Sequence, residues 1–289
     1  GPPRRAMPGL LGAALWCLAW RAAAADWHID GSARQALVDA AGLTDPADGE
    51  ARASAMQALQ DLAGLPENRR TMWQDKHGAR RAFLEGTRAR GAHGGACRER
   101  AQAGLEHLAD EAANRRPMWL DLDVREAVLI GARSGGSTSV HALATLRNLA
   151  RESSNAESMW QHQEVRKTLV SRGKLQGDAR SDERASALEA LHSLARAPAN
   201  QESMWADRGG ARAAALEAAR LQQPGELQVQ ADALALLSSL ADSAASRRAM
   251  WGEARGVLLG AAAFGPERRG ARDTAVEALE KLAAEPANG

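Results

Sequence analysis

The sequence predicts an all-α protein built as a solenoid of about six three-helix repeats. Two observations carry this: a tryptophan recurs at a nearly fixed spacing, and the composition suits helices. Trp27, Trp73, Trp119, Trp160, Trp205 and Trp251 are separated by 46, 46, 41, 45 and 46 residues, and the last five each follow a methionine. A period of that length marks stacked units, none of which can bury its apolar face alone. Of 289 residues, 45% are apolar and 25% charged; Tyr is absent and Phe occurs only at Phe83 and Phe264. Core volume must therefore come from Leu, Met and Trp. Ala, Leu, Arg and Glu favour helix, while strand formers are scarce.

Each repeat reads as three helical pieces. The first is short and ends on the Met-Trp pair. Asn68, Asn114, Asn155, Asn200 or, at the one exception, Ser246 stands five residues before its Trp, where Asn would suit an N-cap. The second begins near a recurring Arg (Arg34, Arg80, Arg125, Arg166, Arg212, Arg255) and runs to a Gly- or Pro-containing loop such as GTRARGAHGG or LQQPGE. The third carries A-L-x-x-L-A, as in ALQDLA from Ala58 and ALHSLA from Ala190, with both leucines on one helix face. Met and Trp on the short helix are placed to fill the joint between successive repeats. The expected repeats cover about 22–67, 68–113, 114–154, 155–199, 200–245 and 246–287 within one array spanning 1–289.

The apolar stretch Leu10 to Trp20 has the composition of a secretory h-region and is too short to span a bilayer. GPPRRAMPGLLGAALWCLA from Gly1 nevertheless aligns with GPERRGARDTAVEALEKLA from Gly265, so residues 1–21 are read as the third helix of a leading partial repeat. A cytoplasmic protein is expected, with a secretory or organellar signal at 1–25 as the alternative. Cys17 and Cys97 are the only cysteines, and neither has a second at metal or redox spacing.

These residues, Asn before Met-Trp, Gly-Ala before the second helix and A-L-x-x-L-A on the third, resemble the armadillo repeat family over essentially the whole chain. HEAT repeats are the nearest rival. The resemblance implies a right-handed superhelix whose third helices line a concave groove for an extended peptide or another protein. Nuclear-import members of the family place W-x-x-x-N on the third helix. Here the Asn row reads Cys17, Asp61, His107, Asn148, Ser193, Ser239 and Lys281, and the Trp row Ala13, Gln57, Ala103, Ala144, Glu189, Ala235 and Glu277. Only Asn148 matches, so the groove differs chemically from that clamp. Gln57, Asp61, His107, Asn148, Glu189, Ser193 and Ser239 are the expected groove residues.

The net charge of +1 gives no reason to expect a polyanion partner. The Arg row could read phosphates, which makes RNA or an acidic polymer the alternative partner. Its plainer role is to cover apolar surface, pairing with Asp75 or Asp207 or stacking on Trp. Nine Arg or Lys between Arg69 and Arg100 form the most basic stretch, read as mostly a solvated loop. His93 and Cys97 are too few for a zinc site. No P-loop, dinucleotide or G-x-S-x-G motif occurs, so a non-enzymatic interaction scaffold without cofactor or metal is expected.

Overall fold

Good helix formers punctuated by Gly, Pro and Asp give seventeen α-helices and no strand among the described residues of the computed structural model, Trp27 and 31–288. The leading partial repeat and the signal alternative at 1–25 lie outside the described residues, as do Cys17 and Ala13. The chain divides into two compact units, 1–131 and 132–289.

In the first unit, α1 (Gly31–Ala41), α2 (Gly49–Gly64), α3 (Pro66–Gln74), α4 (Ala79–Gly86), α5 (Gly94–Asp110) and α6 (Ala112–Leu120) follow in order, and α7 (Leu122–Ser134) begins there. The long helices α2 and α5 pack side by side. Phe83 on α4 is fully buried, and a Cβ at Gly104 of α5 would overlap its ring. Glycine therefore allows the close approach at that joint.

In the second unit, α8 (Gly136–Ala150), α9 (Ser153–Gln161), α10 (Gln163–Gly173), α11 (Ser181–Ala195), α12 (Pro198–Ala206), α13 (Ala211–Ala219), α14 (Leu227–Leu240), α15 (Ala244–Glu253), α16 (Arg255–Ala262) and α17 (Arg269–Ala283) repeat the order third, short, second. The third helices stack in sequence, α8 on α11, α11 on α14, α14 on α17. Short 3-10 turns at Asp178–Arg180, Pro224–Glu226 and Pro266–Arg268 lead into α11, α14 and α17.

The Met-Trp pairs fill the joints. Met72, Met118, Met159, Met204 and Met250 are fully buried, and Trp73, Trp119, Trp160 and Trp205 nearly so. Every recurring Arg stacks on the Trp of its own repeat, from 4.2 Å at Arg80 over Trp73 to 5.7 Å at Arg34 over Trp27. Its carboxylate partners differ from those expected. Arg80 pairs with Asp121 and Arg212 with Glu253, each from the following repeat. Asp75 and Asp207 instead accept from the first backbone N–H groups of α4 and α13 (Ala79, 3.3 Å; Ala211, 3.2 Å), where a helix end favours negative charge.

The recurring Asn is not an N-cap. Leu65 and Ala197 take that position, because Pro66 and Pro198 start their helices two residues earlier. Asn is the third helical residue, buried and facing inward. Its Nδ2 donates to the carbonyl six residues back, at the end of the preceding third helix: Leu62, Leu108, Leu149 and Leu194, at 2.9–3.1 Å. Asn114 also reaches Arg69 O and Asn200 reaches Ala156 O, both at 3.0 Å and both on the short helix one repeat earlier. One amide thus satisfies a helix end and staples two repeats. The next residue adds to this: Arg69, Arg115 and Gln201 donate to the last carbonyls of α2, α5 and α11.

Ser246 breaks the pattern. Its hydroxyl is buried and makes no hydrogen bond among the described residues. Ser246→Asn is expected to reach Leu240 O and Gln201 O and to raise stability by about 1–2 kcal/mol, read as a higher urea midpoint at unchanged m-value. A fall in the midpoint would mean that the site is too tight for the longer side chain.

Candidate partner-binding face

The third helices carry the expected site residues, and each compact unit holds its own set. In the first, Gln57 and Asp61 are half-buried on α2, with Gln57 Nε2 donating to Asp61 Oδ1 at 2.9 Å. His107 on α5 is half-exposed, its Nδ1 3.9 Å from Asp110 Oδ2. Its Nε2 lies close to Gly64 on α2, so the ring stands near the end of the helix that carries Asp61.

In the second unit, Glu189 and Ser239 are half-exposed on α11 and α14. Asn148 is fully buried on α8, where it accepts from Arg147 Nε at 3.2 Å, and Ser193 on α11 is only 7% exposed. These two side chains give a partner little to touch.

What the second unit assembles is a charged row that the repeat pattern does not single out. Arg147 Nη1 donates to Glu189 Oε2 at 2.9 Å, a pair only partly open to solvent. Asp232, on the next third helix, lies within the electrostatic reach of both. Burial pushes the Asp232 carboxyl up to about 7; Gln228, donating at 3.0 Å, pulls against that, Glu189 adds to it and Arg147 opposes it. His192, one turn beyond Glu189, has its pKa lowered by burial and by Arg196, with Glu189 acting the other way. Farther along, Lys281 on α17 bonds Asp242 and Glu277, each at 2.8 Å. Burial opposes its charge, but those two bonds outweigh it and raise its pKa. Glu277 is held low, first by the Lys281 hydrogen bond.

Arg147 and Lys281 thus face Glu189, Asp232, Asp242 and Glu277, which leaves the face acidic once Asp232 is ionised. A sequence signal for Asp232 existed: it precedes Ala235 of the Trp row by three residues, which is one helical turn. Among the described residues no group of His, Cys, Asp and Glu is arranged to hold a metal ion.

The basic stretch from Arg69 to Arg100 is less of a loop than expected. Only 87–93 lies outside helices α3, α4 and α5, apart from the turn at 75–78. Arg69 binds helix-end carbonyls, Arg80 stacks on Trp73, Arg81 pairs with Glu85, and Arg98 and Arg100 donate to Ala89 O and Ala53 O.

No protein-family model and no curated protein matches this sequence. Solved structures do. A designed armadillo repeat protein superposes with a TM-score of 0.68 at 15% identity, over 86% of this chain and 99% of its own. The fold is that of an armadillo-type helical repeat. A chain from the structure in which Kap95p binding induces the switch loops of RanGDP to adopt the GTP-bound conformation gives 0.65 at 15% identity, over 98% of this chain and 37% of that one. A chain from the structure on the interaction between cadherin and beta-catenin gives 0.54 at 14%, over 95% and 57%. At such identities the likeness extends to the armadillo backbone and not to the residues on its faces. No helix among the described residues is long and apolar enough to cross a membrane.

Proposed function

We propose that this armadillo-type chain is a non-enzymatic interaction scaffold that holds a basic segment of a protein partner along the third-helix face. The observation that carries this reading is the row Arg147, Glu189 and Asp232, in which Glu189 takes up the one guanidinium and half-buried Asp232 lies within electrostatic reach of both without an ion pair of its own among the described residues. A cationic side chain from a partner would supply the missing charge and relieve the desolvated Asp232. Ser239 and the Lys281 cluster extend the same face. Gln57, Asp61 and His107 are the corresponding contacts in the first unit, while Asn148 and Ser193 shape the surface from beneath. The alternative, RNA or an acidic polymer held by the Arg row, has less support, since each of these guanidinium groups already lies over a Trp face.

The test is a cross-linking pull-down with the full chain as bait, followed by affinity measurement on the partner recovered. Asp232 is neutral below about 7 and charged above it, so a basic partner is expected to bind several-fold tighter at about pH 8 than at about pH 6. Asp232→Asn should remove that dependence and leave the low-pH affinity. Stability moves the other way. The folded-state value lies above the unfolded one of 3.8, so the native state binds more protons between those values and stability falls as pH rises through them. Cross-links confined to the loops, or affinity unchanged by Asp232→Asn at every pH, would sink the assignment.

A further inference from the structure

Away from the third-helix face, the first unit contains a cavity of about 330 Å³ lined by Arg52, Arg88, Arg90, His93, Asp45 and Cys97. Its walls are the loop 87–93 and the starts of α2 and α5. The loop is held in shape: Gly91 has φ +87°, Arg98 Nη1 donates to Ala89 O at 2.6 Å, and a Cβ at Gly94 would sit 2.9 Å from that same oxygen. The His93 ring lies against Gly49, where a Cβ would come within 3.0 Å of its Cδ2. The cavity is therefore a built feature and not a gap in a loose loop.

Its chemistry is cationic and largely uncommitted. Arg52 donates weakly from Nη2 to Glu85 O (3.4 Å), but its Nε is buried and makes no hydrogen bond among the described residues. The Arg90 and His93 side chains are exposed and make no hydrogen bond or ion pair among the described residues. Arg88 has only long contacts with exposed Glu126 (3.4 Å) and Asp123 (3.8 Å). The one carboxylate in the lining, Asp45, accepts from Ala47 N at 2.9 Å. Helices α2 and α5, of 16 and 17 residues, both begin at this cavity, and neither has a side-chain cap. Gly94 N donates to Gly91 O at 3.0 Å, so it is the helix dipoles that add to the positive field.

We propose that this cavity binds a phosphate monoester or free phosphate dianion, gripped by Arg52, Arg88 and Arg90 with His93 as a further donor. Guanidinium forks match phosphoryl oxygens two at a time, and the exposed Arg90 and His93 side chains, unbonded among the described residues, offer open donors to them. The groups converge on one small volume instead of following a track, which suits a terminal phosphoryl group better than the diester backbone of a nucleic acid. This site is independent of the third-helix face and of the partner proposed for it.

The full chain would be titrated with inorganic phosphate, with a phosphoserine peptide, with the same peptide unphosphorylated, and with oligouridylate, following binding by calorimetry and by backbone amide resonances. Phosphate and the phosphopeptide are expected to bind and to shift Gly49, Gly94 and Gly95, and the unphosphorylated peptide to do neither. Tighter binding of the phosphopeptide would name a phosphorylated side chain as the source, and equal binding a free anion. Arg90→Glu should weaken binding about tenfold or more, whereas Arg70→Glu, an exposed reversal on α3, should not. Equal loss in both variants would reduce the effect to general electrostatics and overturn the proposal. So would amide shifts elsewhere, or oligouridylate binding more tightly than phosphate.

Discussion

Arg184→Ala is expected to destabilise the second unit by about 3–5 kcal/mol. Arg184, near the start of α11, donates from Nη1 to Glu226 Oε1 at 3.0 Å, and the two side chains are 2% and 4% exposed. Glu226 closes the 3-10 turn Pro224–Glu226 that leads into α14, so the pair ties one third helix to the entry of the next. Truncating the arginine strands a carboxylate with almost no access to water, and that penalty exceeds the lost packing. The intact pair is no great asset, because both ions have been stripped of water and Arg184 Nε makes no hydrogen bond among the described residues. Replacing both with apolar residues of similar size, Arg184→Met with Glu226→Leu, should therefore recover most of the loss. The measurement is a double-mutant cycle by urea unfolding. Additive single losses, with no recovery in the pair, would mean that Arg184 acts by filling space.

That pair also shows where sequence reasoning stops. The tryptophan period, the three-helix order and the placing of Met72 or Met204 in a joint were legible because each repeats, and a misreading at one repeat is corrected by five others. Stacking of Arg on Trp was legible for the same reason. The Asn was visible, but its position in the helix was not. Spacing puts it near a helix start, and only the backbone shows that Pro66 or Pro198 has opened the helix two residues earlier. Arg184 has counterparts at the same third-helix position, Arg52, Arg98 and Arg272, but no motif pairs it with Glu226, 42 residues on, whose charge looks like solvent-facing surface. The cavity around Arg52 and Arg90 is assembled from two loops and two helix starts, and no single motif brings those segments together. For the third-helix face, the sequence marks the positions but not their exposure. Asn148 sits in the row the pattern predicts and is nevertheless buried, while Asp232, a turn away from its row, has its carboxyl pKa pushed up to about 7.

Substitutions at Asn200 separate hydrogen bonding from volume. Its Nδ2 donates to Leu194 O at 2.9 Å and to Ala156 O at 3.0 Å, with the residue 1% exposed. Asn200→Ala removes both donors and leaves two carbonyls without them in a dry joint, for an expected loss of about 2–4 kcal/mol. Asn200→Asp has almost the same shape but nothing to donate when ionised, and it would direct a carboxylate at two carbonyl oxygens. The aspartate should thus be the more damaging change at neutral pH, although it preserves the volume. Acidification should restore part of the loss, since a protonated carboxyl regains one O–H donor. Urea midpoints for the three proteins at neutral and acid pH decide the matter. If the asparagine served mainly as a space-filler, aspartate would be nearly harmless and alanine the worse substitution at both pH values. The ordering Asn, Ala, Asp at neutral pH, with Asp recovering on acidification, would make the stapled amide what joins one repeat to the next.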